Sequence, residues 1–283
     1  MKTIVAATDF SQRSVAAIDR AAALAAATGA ALLVVHAVDD SLPRPVVERR
    51  LAEANDMLAE QSTMLERVGG RHEVASGDVF LAIHRAASAA HADLVVVGDH
   101  RRGVLRDIIS DTTVERLIRV SAVPVLIART AGAPPYQHAL AGVESMEGPE
   151  LLEALASFGS DAPARTTLLH AIDTSATGLM YYAGIDRQAI DDYRAEVARQ
   201  ARARLTAQIA SAPLMADIAI VDDPPAVAIT RHAQESGCDL VVVSSHARRI
   251  VARGILGSVS SHLIRRGITD LLIVPRVVSD AVP

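Results

Sequence analysis

Residues 93–98 read Asp-Leu-Val-Val-Val-Gly, and residues 239–244 read Asp-Leu-Val-Val-Val-Ser. A histidine follows each run at the same distance, His100 in the first and His246 in the second. A short run rich in β-branched residues predicts a strand that is buried on both faces of a sheet. The repetition predicts two copies of one α/β unit. Each copy has a candidate site just after this strand, because open α/β sheets bind ligands at the carboxyl ends of their strands.

Strand and helix patterns alternate on both sides of each run. Strands are predicted at residues 2–8, 31–38, 72–75, 94–97 and 123–128, and again at residues 138–143, 166–172, 218–221, 240–243 and 271–274. Nearly all-apolar strands that alternate with helices are typical of a parallel sheet covered on both faces. We therefore predict an α/β fold of two tandem doubly wound sheets, each with five parallel strands.

A Pro- and Gly-rich segment, Ala-Gly-Ala-Pro-Pro at residues 131–135, predicts a linker between the two units. The domains are then residues 1–130 and 136–283, each within the usual size of a single core. We expect the two halves to pair through strand five of each, at residues 125–128 and 271–274, as a pseudo-dimer within one chain. A homodimer of whole chains is left open.

The composition argues against several classes of function. A net charge of −5 is unlike the basic surface of a nucleic-acid binder. No apolar run is long enough to span a membrane, and the first residues predict a strand rather than a signal peptide. The single cysteine, Cys238, excludes an internal disulfide and suits the cytoplasm. The histidines lack metal-ligand spacing, so no metal site is predicted.

Sequence motifs of the common enzyme classes are missing. The P-loop pattern, the Rossmann glycine pattern and the Gly-x-Ser-x-Gly elbow do not occur in the chain. An enzyme is therefore the less favoured interpretation.

Four short motifs, in order and spacing, resemble the universal stress protein family in its tandem form, over essentially the whole chain. They are Val5-Ala6-Ala7-Thr8-Asp9, Gly77-Asp78, the run from Ala92 through His100, and Pro124-Val125-Leu126-Ile127-Ala128. The first is one residue longer than the Val-Ala-x-Asp of the family. The resemblance implies regulation under stress, through a protein partner that the sequence does not identify, and ATP as the ligand.

Nucleotide-binding members of that family carry Gly, two residues, Gly, nine residues and then Gly-Ser or Gly-Thr, with an Asp at the end of strand one near the base or ribose. The small residues let the backbone approach phosphates, and the last pair opens a helix whose N–H groups attract an anion. The corresponding positions of the first half are Gly98, Arg101 and Asp111-Thr112, with Asp9 at the end of strand one.

The first half departs from this pattern at the helix start. Asp111 places a negative charge where phosphate would lie, and Thr112 and Glu115 have capping-box spacing, which predicts a helix start closed by its own side chains. We therefore expect the first half to have lost nucleotide binding.

The second half keeps the helix start and loses the glycines before it. Its positions are Ser244, Ala247 and Gly257-Ser258, with Glu144 in place of Asp9. No Glu follows at capping-box spacing, and Arg248, Arg249 and Arg253 add positive charge nearby. We expect any nucleotide to bind here, on Gly257, Ser258 and Val259 with Glu144, Ser244, His246 and Ala247 around it. The only metal expected is magnesium carried by the nucleotide.

The sequence leaves alternatives open for most of these residues. Gly257-Ser258 equally describes a plain helix start. Asp9 and Glu144 also fit loop carboxylates that cap a neighbouring helix, and for Glu144 this is the favoured interpretation. The loop histidines His100 and His246 are as consistent with bracing a loop as with lining a site. Two further histidines at matching strand ends, His36 and His170, are interpreted as hydrogen-bonded structural residues. The apolar insertion at residues 180–182 is either a cover for the core or a binding patch.

Three functions remain on the sequence alone. The leading one is stress-response regulation, with or without a bound nucleotide and without turnover. The second is a slow ATP hydrolase, for which only Glu144 and Asp223 are candidate groups near Gly257. The third is an interaction scaffold that binds no small ligand.

Overall fold

The computed structural model describes residues 1–60, 69–99, 112–144, 148–172, 175–245 and 256–275, with the backbone alone at residues 175–178. Strands and helices alternate throughout these ranges. The strands are β1 (Thr3–Thr8), β2 (Ala31–Val38), β3 (Arg71–Ser76), β4 (Leu94–Gly98), β5 (Val125–Ala128), β6 (His138–Gly142), β7 (Arg165–Ala171), β8 (Asp217–Val221), β9 (Leu240–Ser244) and β10 (Asp270–Val274). The helices are α1 (Gln12–Thr28), α2 (Arg44–Glu60), α3 (Val79–Ala89), α4 (Thr113–Val120), α5 (Gly148–Ala156), α6 (Ser175–Tyr182), α7 (Arg187–Gln208), α8 (Pro225–Ser236) and α9 (Ser258–Arg266).

The sheet confirms the predicted duplication and the predicted pairing of the halves. Its strand order is β3-β2-β1-β4-β5-β10-β9-β6-β7-β8, so both halves have the order 3-2-1-4-5. Strands within a half are parallel, whereas β5 and β10 are antiparallel, with Leu126 opposite Leu272. The two predicted five-stranded sheets are therefore joined at this edge into one ten-stranded sheet.

Two hydrophobic layers cover the faces of the sheet and run through both halves. One layer contains Ile4 and Leu24 of the first half with Leu151 and Leu205 of the second, so it lies under α1, α5 and α7. The other contains residues of α3, α4, α8 and α9, such as Ile83, Leu117, Ile229 and Leu263. Successive residues of each strand alternate between the layers, which is the period of a strand buried on both faces.

The aspartate of the repeated run has the same structural part in each half. Asp93 accepts hydrogen bonds from the N–H groups of Lys2 and Thr3, at 2.5 and 3.0 Å. Asp239 accepts from the N–H groups of Gln137 and His138, at 2.7 and 3.1 Å. Each aspartate thus fixes the start of its half's central strand pair, and the N–H of Lys2 lowers the pKa of Asp93.

A buried ion pair fastens the two halves together. Arg20 of α1 lies 3.3 Å from the carboxylate of Asp270, and the two side chains are 1% and 0% exposed. The Tyr136 hydroxyl donates to the same carboxylate at 2.7 Å, and the N–H groups of Arg129 and Thr130 donate at 2.8 and 2.9 Å. Burial and the adjacent Asp270 raise the pKa of Tyr136 well above its usual value.

Candidate functional site

Each half has a cavity where its strand order reverses, between β1 and β4 and between β6 and β9. The first cavity has a volume of about 500 Å³ and the second about 260 Å³. Both lie at the carboxyl ends of the strands, the position expected for ligands in doubly wound sheets. The larger cavity is in the half for which we predicted loss of nucleotide binding.

The helix that borders the first cavity is closed by its own side chains, as predicted. The hydroxyl of Thr112 accepts from the N–H of Glu115 at 3.2 Å, and the Glu115 carboxylate accepts from the N–H of Thr112 at 2.9 Å. Thr112 and Val114 line the cavity, and the N–H groups of Thr112 and Glu115 already have acceptors in each other's side chains. A phosphate there would have to displace these hydrogen bonds.

The other predicted residues of the first half line the same cavity. The Asp9 carboxylate accepts hydrogen bonds from the N–H and hydroxyl of Ser11, at 3.0 and 2.5 Å, and so shapes the turn into α1. At Gly98, a Cβ atom would lie 2.7 Å from the carbonyl oxygen of Arg13. The glycine is thus required by the close approach of α1, and this reason is independent of any ligand.

The second cavity is bordered by a helix start whose N-cap residue, Gly257, has no side chain to cap it. Gly257 is the N-cap of α9 with extended backbone, and it makes no side-chain capping hydrogen bond. The Gly257 N–H donates to the Ser245 carbonyl at 3.3 Å, and the Ser260 hydroxyl donates to the Ser244 carbonyl at 3.1 Å. These two bonds hold the helix start against the end of β9, while the amides of Ser258 and Val259 have no acceptor within the helix.

The structure brings together every predicted residue of the second half that it describes. Ser244, Gly257, Ser258 and Val259 line the second cavity together with Glu144, which follows β6. A carboxylate and a helix start therefore belong to the same cavity. Such a cavity can offer amide donors to an anion and a carboxylate acceptor to a hydroxyl or amine.

Several predicted positions lie outside the described residues. They include Arg101 and Asp111 of the first half, the loop residues His100, His246 and Ala247, and the three arginines Arg248, Arg249 and Arg253. The predicted charge repulsion at Asp111 and the predicted contacts of His246 and Ala247 remain predictions.

The strand-end histidines brace the backbone in both halves. The Nδ1 atom of His36 lies 2.9 Å from the Thr8 carbonyl, and that of His170 lies 2.9 Å from the Val143 carbonyl. A carbonyl only accepts, so Nδ1 carries the proton in each case. Burial lowers the pKa of His36 below its usual value, against the opposing effects of Thr8 and Asp9. These contacts agree with the structural interpretation.

The two candidate groups for hydrolysis, Glu144 and Asp223, do not line the second cavity together. Asp223 forms an ion pair with Arg231 at 2.5 Å and is not one of the residues that line this cavity. Within the described ranges, no three side chains of the metal-ligating types are grouped to hold a metal ion. No helix in those ranges is long and apolar enough to cross a bilayer.

Sequence reasoning missed two sets of contacts between the halves. The guanidinium of Arg129 lies 3.3 Å from Asp99 in the wall of the first cavity, and it reaches the far end of α9. The ion pair of Arg20 with Asp270 was also missed. The only signal for this pair was Asp270 itself, a charged residue at the start of an apolar strand. The first half has Pro124 at the corresponding position.

Comparisons with known proteins agree with the duplicated fold. A profile of the universal stress protein family matches residues 1–129 and again residues 135–275. A universal stress protein of Thermus aquaticus, described as encoded in the QAH/OAS sulfhydrylase 3' region, is 33% identical over 135 residues, which are 45% of this chain and 98% of that protein.

Two solved structures match over nearly the whole chain. A universal stress protein from Archaeoglobus fulgidus is 18% identical with a TM-score of 0.69, over 97% of this chain and 98% of the other. A functionally unknown protein from Pseudomonas aeruginosa is 19% identical with a TM-score of 0.65, over 97% and 92%. At this identity they show the fold alone. Because the family profile matches both halves, the chain belongs to the universal stress protein family, as a tandem of two such domains.

Proposed function

We propose that the chain is a regulatory stress-response module that binds ATP in its second half without turning it over. The observation that carries this proposal is the uncapped start of α9, Gly257 to Val259, at the border of a cavity that Glu144 also lines. The first half has a helix at the same place whose start is already occupied by Thr112 and Glu115.

The start of α9 is suited to the phosphates of a nucleotide. Amides at a helix start carry about half a positive elementary charge and point outward, so they favour an anion. Glu144 is then placed to accept a hydrogen bond from a ribose hydroxyl or a base amine. The volume of about 260 Å³ is slightly below the usual range for small-molecule sites, about 300–1,000 Å³. We infer that the cavity takes the phosphates and ribose, and that magnesium enters with the nucleotide.

We further propose how the chain is divided into domains and where it acts. We propose domains at residues 1–130 and 136–283 with a linker at residues 131–135; the two profile matches, which end at residue 129 and resume at residue 135, support this division. We propose that the module acts in the cytoplasm on a protein partner. The antiparallel pairing of β5 with β10 supplies, within one chain, the pairing expected of a pseudo-dimer.

The hydrolase alternative has less support. Of its two candidate groups, Glu144 lines the second cavity while Asp223 is held by Arg231 outside it. Turnover needs a positioned base and a metal ligand, and a single carboxylate does not provide both.

The test uses the full chain, because removing the first half would leave the buried Asp270 without Arg20. Calorimetric titration with ATP and magnesium should show one site per chain, and prolonged incubation should give no ADP above the protein-free rate. Absence of ATP binding would leave the scaffold alternative. Steady ADP production would replace the proposal with the hydrolase.

A further inference from the structure

Helix α9 is held at its two ends by different halves of the chain. Its start is attached within the second half, by the bonds from Gly257 to Ser245 and from Ser260 to Ser244. Its end is attached to the first half, where Arg129 follows β5. The helix that borders the second cavity therefore takes its position from both halves.

The guanidinium of Arg129 caps the end of α9. It donates to the carbonyls of Ile264 and Thr269 at 2.8 Å each and to the carbonyl of Leu263 at 3.3 Å. A cation at a helix end satisfies the last carbonyls and complements the helix dipole. The same guanidinium lies 3.3 Å from the carboxylate of Asp99, and the two side chains are 6% and 17% exposed. Asp99 belongs to the wall of the first cavity.

Two further features are found at the same end of α9. Arg265 donates to the carboxylate of Glu115 at 3.0 Å, and Glu115 is the residue that closes the start of α4. At Gly267, a Cβ atom would lie 2.6 Å from the Nη1 atom of Arg129, so the glycine makes room for the guanidinium. Two elements that border the first cavity are thus connected to the end of α9. The end of β4 is connected through Asp99 and Arg129, and the start of α4 through Glu115.

The reverse connection is missing at the corresponding positions. In the repeat, Arg129 corresponds to Pro275 and Glu115 corresponds to Ser261. Proline has no side-chain donor, and a serine hydroxyl cannot form an ion pair with an arginine. Neither contact can therefore be reproduced in the opposite direction, from the second half to the end of α4.

We propose that the first half regulates the anion site of the second half through α9, with Arg129 as a positioning residue and Asp99 as its link to the first cavity. The inference rests on the proposed function for the identity of the ligand. Helix α9 has nine residues, about 13 Å, and its backbone hydrogen bonds pass a displacement of the last turn on to the first. A ligand in the first cavity that draws Asp99 away from Arg129 therefore alters the hydrogen bonds between Arg129 and the last turn of α9.

The test compares ATP affinity in full-length variants. Arg129→Gln removes the charge and most of the hydrogen bonds, and Arg129→Lys keeps the charge. Asp99→Asn removes only the link to the first cavity. The matched control is Arg116→Gln, because the Arg116 guanidinium contacts Asp78, at 3.1 Å, and the Phe80 ring, both in the first half. A second readout is amide hydrogen exchange at Ser261, whose N–H bonds to the Gly257 carbonyl at 2.9 Å in the first turn.

Arg129→Gln should weaken ATP binding about fivefold or more, within the range of measured site-to-site coupling, and speed exchange at Ser261. Arg129→Lys should recover part of the affinity, Asp99→Asn should fall between wild type and Arg129→Gln, and the control should match wild type. Folded Arg129→Gln with wild-type affinity and exchange overturns the inference. If wild type binds no ATP, the proposed function fails and exchange at Ser261 decides the inference. If Arg129→Gln does not fold, the same two readouts on Asp99→Asn decide it.

Discussion

Helices α4 and α9 begin at equivalent places in the two halves and differ in what occupies their first amides. At α4, the side chains of Thr112 and Glu115 each accept a hydrogen bond from the other's N–H group. At α9, Gly257 supplies no side chain, and the helix start remains at the border of a cavity. Two side chains thus distinguish a helix start that the chain itself caps from the one at which we propose that a ligand binds.

The comparison extends to the sheet edge where the halves meet. Pro124 precedes β5, whereas Asp270, its counterpart, begins β10 and pairs with Arg20. Three charged side chains of the first half therefore contact the second half: Arg20, Arg129 and Glu115. The two halves therefore differ. In the first half, α4 is capped by its own side chains and charged residues contact the second half. In the second half, the N-cap residue of α9 is a glycine.

The largest expected effect concerns the buried ion pair that joins the two halves. Arg20→Met should cost about 3–5 kcal/mol of unfolding free energy, because it leaves the buried Asp270 carboxylate without its cation. Urea denaturation followed by circular dichroism measures this cost. Arg165→Met, which breaks the exposed pair with Asp217, is the control and should cost no more than about 1 kcal/mol. Equal costs for the two variants would show that the Arg20 pair does not fasten the halves.

The next effect closes the open helix start. Gly257→Asp places a carboxylate at the N-cap of α9, where the backbone is already extended, and should weaken ATP binding about a hundredfold, or about 2.7 kcal/mol. Helix stability should change by only a few tenths of a kcal/mol, since glycine is itself a tolerated N-cap.

Gly257→Ser is the matched control for charge. A serine adds a neutral acceptor, so its ATP affinity should lie between those of wild type and Gly257→Asp in the same calorimetric titration. Undiminished affinity in Gly257→Asp would place any nucleotide elsewhere.

A smaller, crossed effect separates the two helix starts. Thr112→Ala should cost about 1 kcal/mol of stability, through loss of the cap on α4, and leave ATP affinity unchanged. Ser258→Ala should leave stability within about 0.5 kcal/mol and lower ATP affinity severalfold. Urea denaturation and ATP titration of both variants give the four values. The comparison fails if the two variants have the same effects.

The smallest effect is a pH dependence in the first half. Burial lowers the pKa of His36 in the folded state below 6.5, so the unfolded state binds more protons as the pH falls through that value. The contribution of His36 is present above pH 6.5 and is lost below it. His36→Asn keeps a donor near the Thr8 carbonyl and does not titrate. The stability of wild type relative to this variant should therefore fall between pH 7.5 and pH 5.5, measured by urea denaturation; a constant difference would contradict the assignment.

The sequence predicted the features that depend on neighbouring residues. Strand patterns in the sequence located every strand that the structure describes, and the spacing of Thr112 and Glu115 predicted the capping box that the structure confirms. Helix α9 begins and ends where predicted, at Ser258 and Arg266, because Gly257 precedes it and Gly267 follows. These signals come from residues that are close together in the sequence, so they can be recognised without knowledge of the fold.

The missed features join residues that are far apart in the chain. The contacts of Arg129 with α9 and of Arg20 with Asp270 span more than a hundred residues, and their register depends on how β5 meets β10. Helix α6 was also missed, because its glycine and adjacent tyrosines resemble an apolar insertion more than a helix. The relative size of the two cavities depends on helix placement and left no trace in the sequence.

Amide chemical-shift mapping of the isotope-labelled full chain with ATP and magnesium tests the central claim most directly. The account predicts shifts at Ser258 and Val259, at the open start of α9, and unchanged amides at Thr113 and Val114 of the capped α4. Shifts at Thr113 and Val114, with Ser258 and Val259 unchanged, would contradict it.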